Sequence, residues 1–321
     1  MELFQIFISI IKDLGCHKNI LTKVFLQLFL KEVFFLIGQT IEKLLWRIRL
    51  ENNLNDLSGS KWLYWTNTIY ETNFPVDVTH HLRKMHGAMK PPALMAEIIE
   101  FFTKQGELIL DPFAGVGGTL LGAMIAGRGA TGIEINPVWV DLYQKILGEV
   151  SKASEQKTVK DNLNQMVLGD CLQIMQSIPD GSISAIITDP PYGCQGQKIG
   201  FKRETHFNMK SDEKADFGNC NSYSEYLEKI KRFGVEAYRV LCPNRYLVVM
   251  IGDRYNQGEY LPLGVRVAET LQEVGFIWKG IRIWWNKATQ RPLKPYAIKT
   301  CFVPNITHQN ILILRKEKKR K

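Results

Sequence analysis

Residues 108–119 read LILDPFAGVGGT, and the fold turns on this stretch. An apolar run of strand length ends in an acid, Asp111, passes through a glycine-rich turn and opens an apolar helix at Thr119. That is the strand-turn-helix unit of a ligand-binding α/β sheet, in which Gly115 and Gly117 let the backbone come close to a ligand. The pattern departs from a dinucleotide site at two points. The third glycine of G-x-G-x-x-G falls at Leu120, and Asp111 at the strand end repels a pyrophosphate while suiting a cationic or amino-bearing ligand. A nicotinamide dehydrogenase is therefore disfavoured.

Outward from this unit the same alternation continues. Strand-length apolar runs lie at Leu108–Leu110, Ala130–Ile133, Met166–Leu168, Ala185–Ile187, Tyr246–Ile251, Ile277–Trp285 and Asn310–Leu314. Helical stretches fall between most of them, at Thr119–Ala126, Pro137–Val150, Tyr223–Leu241 and Gly264–Val274. Such β-α-β alternation predicts a doubly wound, mainly parallel, seven-stranded α/β sheet with helices on both faces. Residues 1–50 instead repeat Leu, Ile, Val and Phe at three- and four-residue steps, as an amphipathic helix does. The polar stretch ENNLNDLSGS at 51–60 separates the two patterns, which sets a helical extension at 1–55 and the main domain at 56–321. Lysines and glutamates break the N-terminal run well short of the roughly 20 residues a membrane-spanning helix needs. We therefore expect no span, a cytoplasmic location, and N-terminal helices packed on the main domain, on a second copy or on a partner protein.

Composition narrows the class further. With 321 residues, 45% hydrophobic and 23% charged, the chain is neither collagen-like nor disordered. Its six cysteines form no Cys-x-x-Cys pair, and the clustered His80, His81 and His86 have no metal-ligand spacing, so neither zinc nor a disulfide framework is expected. The net charge of +9 is concentrated: residues 274–321 hold twelve basic residues against Glu317 alone, leaving the first 273 residues near neutral. That distribution invites a nucleic-acid partner.

In open sheets of this kind the chemistry gathers just beyond the carboxyl ends of the strands. Asp111 ends the first run, Glu134 ends the second 19 residues after Gly115, and Asp170 follows the third. A carboxylate at Glu134 can accept from both hydroxyls of a ribose, Asp170 from an adenine amino group, and Asp111 from an ammonium. Each taken alone could be a helix cap or a simple turn. Together they suit a nucleoside that carries an amino-acid tail and no phosphate, namely S-adenosylmethionine. After the fourth run comes Asp189-Pro190-Pro191-Tyr192, where two prolines stop the strand and fix a rigid turn. Asp189 and the Pro190 carbonyl are then paired acceptors, with Tyr192 projecting beside them.

With these motifs in hand the sequence resembles the amino-group DNA methyltransferases, which methylate adenine N6 or cytosine N4. DPFAGVGGT is similar to the family's cofactor motif and DPPY to its catalytic motif. The stretch His86-Gly-Ala-Met-Lys90-Pro91-Pro92 is similar to its lysine-proline cofactor motif, and Phe302-Val-Pro-Asn-Ile-Thr-His308 also matches. The resemblance spans about 61–316. It implies a Rossmann-like methyltransferase sheet and S-adenosylmethionine bound by Lys90, Pro91, Asp111, Pro112, Phe113, Gly115, Gly117, Glu134 and Asp170. It also implies catalysis by Asp189, Pro190, Pro191 and Tyr192 on a base flipped out of DNA, as in restriction-modification systems. No extended target-recognition domain is visible. Gly193–Asn221, Arg254–Pro262 and the basic Asn286–Pro304, with Lys287, Arg291 and Lys294, are the candidates for contacting DNA. Adenine N6 is the expected target, with cytosine N4, RNA and a non-catalytic DNA-binding module as alternatives. Related N-P-P-Y motifs serve RNA and protein side chains, so Asp at 189 and the FVPNITH segment favour DNA.

Overall fold

The computed structural model describes residues 33, 38–40, 52–153, 164–193, 211–256, 259–289 and 302–317. The chain divides into two units, Met1–Asn53 and Leu54–Lys321. The first holds nearly all of the expected helical extension and lies almost wholly outside the described residues. The second carries the sheet.

Its strands are β1 (Ile69–Thr72), β2 (Leu108–Asp111), β3 (Gly129–Glu134), β4 (Asn164–Leu168), β5 (Ile183–Thr188), β6 (Leu241–Ile251), β7 (Arg254–Asn256), β8 (Glu259–Leu261), β9 (Ile277–Asn286) and β10 (Gln309–Arg315). Its α-helices are α1 (Gly59–Trp65), α2 (His80–Arg83), α3 (Pro92–Phe102), α4 (Gly118–Ala126), α5 (Pro137–Ala153), α6 (Cys171–Ile174), α7 (Tyr223–Val240) and α8 (Leu263–Val274). The main sheet runs β1-β9-β10-β6-β5-β2-β3-β4, and β7 pairs with β8 in a separate antiparallel hairpin. Every strand of the main sheet is parallel to its neighbours except β10, which is antiparallel to both β9 and β6.

The doubly wound α/β fold is as expected, but the described residues form a main sheet of eight strands rather than seven. The additional one, β1, is only four residues long and reads IYET, too short and too polar to show as an apolar run. It holds its place by pairing with β9, more than two hundred residues away in sequence. Tyr70 is its buried anchor, and its hydroxyl donates to Glu97.

The central strands are covered on both faces, so consecutive residues feed opposite cores. Ile109, Ile187, Val248 and Ile311 pack with α3, α4 and α5, while Leu110, Ile186, Leu247 and Leu312 pack with α6, α7 and α8. Helix α4 is apolar nearly all round, as a helix sandwiched between the sheet and α3 must be. Helix α7 is amphipathic and starts at Ser222, whose hydroxyl accepts from the Glu225 amide at 3.1 Å. Because β10 alone is reversed, the loops after seven strands and the segment before β10 all emerge along one edge of the sheet. The glycine-rich turn, Glu134, Asp170, the Asp189–Tyr192 turn, the β7–β8 hairpin and residues 302–308 therefore share that edge.

Candidate active site

Chain order reverses between the neighbouring β2 and β5, so the loops after them diverge and leave a crevice. A cleft occupies it. Its wall is made by Pro112, Phe113 and Gly115 after β2, Glu134 and Ile135 at the end of β3, and Gly169, Asp170 and Cys171 after β4. Asp189, Pro190, Pro191 and Tyr192 after β5 continue the wall, and His86, Ala88 and Ala215–Gly218 complete it.

Glu134 organises the cofactor side. One of its carboxylate oxygens accepts from the Gly115 amide and the other from the Asn136 amide, both at 2.8 Å, so the side chain straps the glycine-rich turn to the end of β3. A carboxylate offers about four acceptor positions, and two remain for a ligand. Burial pushes its carboxyl up to about 7, against the two amides that favour the charge. Asp170 accepts from the Leu172 amide at 2.9 Å, capping α6 while lining the cleft, so a helix cap and a ligand acceptor coincide in one residue. Phe113 meets Phe217 edge to face at 4.8 Å between ring centres.

Asp111 sits elsewhere. It is 2% exposed, behind the wall rather than on it. Its carboxylate accepts from the Thr188 hydroxyl at 2.6 Å and the Phe113 amide at 3.1 Å, which ties the end of β2 to the end of β5. Burial lifts this carboxyl to about 6 although its hydrogen bonds pull the other way. Gly117 is also off the wall. It adopts φ +77° to begin α4, and a side chain there would collide with the ring of Tyr143.

On the opposite side, Asp189 accepts from the Tyr192 hydroxyl at 2.7 Å and from the Lys90 ammonium, which also donates to the Tyr192 hydroxyl at 3.2 Å. Lys90 and Pro91 do not line the cleft. His86, four residues earlier, does. Its ring meets Trp139 edge to face at 4.8 Å, and burial, helped by the Lys90 charge, lowers its imidazole to about 4, leaving it neutral at neutral pH. Its Nδ1 is buried with no hydrogen-bond partner among the described residues. Burial pushes the Cys171 thiol upward, so this wall residue stays protonated.

The chain that builds this cleft also matches known proteins. The family model described as DNA methylase matches residues 39–145 and 183–321. The chain belongs to the DNA methylase family. The match begins at residue 39, inside the segment that the sequence sets apart as an extension. The chain is similar to the tRNA (guanine(10)-N2)-dimethyltransferase of Methanocaldococcus jannaschii, 33% identical over 132 residues, or 37% of this chain and 34% of that protein. It is also similar to the type II methyltransferase M.HinfI of Haemophilus influenzae, 30% identical over 112 residues, or 32% and 31% of the two chains. The similarity thus spans about a third of the length of each of these relatives. Among solved structures, a Thermus thermophilus protein in complex with S-adenosyl-L-methionine matches with a TM-score of 0.33 and 23% identity, covering 47% of this chain and 55% of that one.

S-adenosylmethionine is the methyl donor of this family, and the cleft suits it. It presents carboxylates to a ligand that bears positive charge and, among the described residues, leaves open acceptor positions at Glu134. Of the residues expected around the donor, Pro112, Phe113, Gly115, Glu134 and Asp170 lie together on the wall, whereas Asp111, Gly117, Lys90 and Pro91 do not. All four residues of the Asp189–Tyr192 turn are on it. Lys287 is half-exposed and paired with Glu71, and its ammonium lies 5.1 Å from the Trp285 ring centre. Arg291 and Lys294 lie outside the described residues. Sequence reasoning did not single out the wall segment Asp216-Phe217-Gly218, which falls within Gly193–Asn221, one of three candidate stretches for contacting DNA. The signal for it is the short turn itself: Asp216 accepts from the amides of Gly218 at 2.7 Å and Ser211 at 2.8 Å, fixing Phe217 against Phe113.

Proposed function

We propose that the protein transfers the methyl group of S-adenosylmethionine to the exocyclic amine of a base in DNA, with adenine N6 the preferred target. The observation that carries this reading is the shared cleft, in which the Asp189–Tyr192 turn faces the same space as Glu134 and Asp170. When bound, S-adenosylmethionine supplies an electrophilic methyl group on a cationic sulfur. The protein's own residues do the rest by binding and orienting.

Glu134 takes the ribose hydroxyls, and Asp170 accepts from the adenine amino group of the donor. Phe113 and Phe217 give the nucleoside an apolar wall. At the other end, an exocyclic amine is a poor nucleophile because its lone pair is delocalised into the ring. Hydrogen bonds to the Asp189 carboxylate and the Pro190 carbonyl favour the tetrahedral nitrogen of the transition state over the planar ground state. The Tyr192 ring stacks on the base. A base in a duplex must leave its stack to reach this turn, at a cost of a few kcal/mol.

The family model, described as DNA methylase, favours DNA. A second reading is methylation of RNA, favoured by similarity to tRNA (guanine(10)-N2)-dimethyltransferases from two archaea, the second from Pyrococcus abyssi at 34% identity over 103 residues. Nucleoside mass spectrometry of DNA and RNA, each incubated with the protein and S-adenosylmethionine, separates these. N6-methyladenine in DNA is expected. N4-methylcytosine without N6-methyladenine would refute the base while keeping the chemistry, and methylated guanine in RNA alone would replace DNA as the substrate.

A further inference from the structure

Lys90 stands in the element that the family resemblance assigns to the methyl donor, yet its side chain is directed elsewhere. It is 7% exposed and does not reach the cleft wall, whereas its two partners, Asp189 and Tyr192, form part of that wall. The three groups close a ring. Lys90 donates to Asp189 Oδ2 and to the Tyr192 hydroxyl, and the Tyr192 hydroxyl donates to Asp189 Oδ1 at 2.7 Å. Each carboxylate oxygen thus receives one donor from the protein and keeps a lone pair for a ligand. The mounting is itself braced. Arg83 donates to the Lys90 carbonyl at 2.9 Å and is held by Asp77 and by the Thr79 hydroxyl. Beyond Tyr192, Arg254 donates to its carbonyl at 2.5 Å, and at Gly252 a Cβ would come within 2.9 Å of the Tyr192 ring.

We propose that Lys90 is a positioning residue for Asp189 and Tyr192 rather than a ligand of the methyl donor. A carboxylate on a turn can rotate about its last bond, and an acceptor helps methyl transfer only if it already points at the incoming nitrogen. The ammonium removes that rotation before a base arrives, locks the Tyr192 ring through its hydroxyl, and sets a positive charge against the carboxylate in a half-buried site. This inference rests on the reading of Asp189 as the acceptor of the target amine.

The test uses the full chain with Lys90→Gln, Lys90→Arg, Tyr192→Phe and the Lys90→Gln/Tyr192→Phe pair. Donor affinity is measured by calorimetry, and kcat and KM with DNA. For Lys90→Gln we expect donor affinity within about twofold of the parent and kcat lower by roughly 10- to 100-fold, the penalty of a misaligned reacting group. Lys90→Arg should recover part of that loss. The double variant should be little worse than Lys90→Gln alone, because both substitutions break one ring. A tenfold or greater loss of donor affinity in Lys90→Gln, with kcat unchanged at saturating donor, overturns the proposal, as does an unchanged kcat. Should Lys90→Gln fail to fold, Tyr192→Phe decides: lowered kcat with intact donor affinity supports the ring, and parental kcat overturns it. If the parent methylates no nucleic acid, the proposed function falls. Donor affinity in Lys90→Gln then still supports the placement of Lys90 if unchanged, and overturns it if lost.

Discussion

Glu134 gives the sharpest test of the cofactor side. In Glu134→Ala the Gly115 amide, now held at 2.8 Å, loses its acceptor together with the carboxylate proposed to bind the ribose. A charge-assisted hydrogen bond of this kind contributes about 1.5–3 kcal/mol, so donor affinity should fall by about 12- to 160-fold. Glu134→Gln should lose nearly as much, because the carboxylate accepts from two backbone amides and a carboxamide must turn its NH2 toward one of them. The pH dependence adds an independent check. Burial raises the Glu134 carboxyl from 4.5 to about 7, so the donor-free fold gains stability from it below pH 4.5 and loses that gain as the pH rises through 7. Ligand hydroxyls favour the ionised form, so binding near pH 6 should release a proton, and affinity through this group should be about tenfold weaker at pH 6 than at pH 8. Calorimetry at the two pH values, in buffers of different ionisation enthalpy, measures both effects. Parental affinity in Glu134→Ala, or the same proton release in Glu134→Gln, would refute this account of the site.

Asp189→Ala should abolish methyl transfer while leaving donor affinity within about twofold, since the acceptor acts mainly on the transition state, and appreciable turnover would sink that role. Thr188→Val removes the hydroxyl donating to Asp111 at 2.6 Å. Chemical denaturation should show a loss of about 1–3 kcal/mol, the cost of a buried acceptor left short of a donor, and an unchanged midpoint would remove this bond from the fold's support. Lys316 belongs to the sheet margin, where its ammonium donates to the Leu241 carbonyl at 2.6 Å, so removing the basic tail should start after Glu317. Deleting residues 318–321, or substituting Arg291 and Lys294, should weaken DNA binding alike for all sequences and flatten its salt dependence, whereas an unaltered salt slope places phosphate contacts elsewhere.

Much of this architecture is legible in the sequence because central strands, buried on both faces, must be apolar runs, and LILD, AIIT and ILIL are such runs. The acids and the proline turn stand out because they follow those runs directly. What stays hidden depends on partners distant in sequence. The strand IYET acquires its status only from β9, and the three-residue strands β7 and β8 are too short to set a period. Lys90 illustrates the same limit for function. Its motif names a neighbourhood, but only the ring it forms with residues a hundred positions later shows which occupant of that neighbourhood it touches. Asp111 and Asp170 both follow strands as acids, and nothing local tells that one is bonded behind the wall while the other lines it.

The reversed strand β10 also governs the order in which the chain can be completed during synthesis. The strands β2, β3, β4 and β5, with the helices between them, are contiguous in sequence and can pair as they leave the ribosome. Strands β6 and β9 cannot join until β10 follows and inserts between them, and β1, made first, waits for β9. Until then the nascent chain carries an apolar strand, Leu241–Ile251, with one edge unpaired, a template for wrong association. A ribosome stalled before residue 309 would therefore present a nearly finished cofactor half beside an open sheet, which is the form most in need of a chaperone.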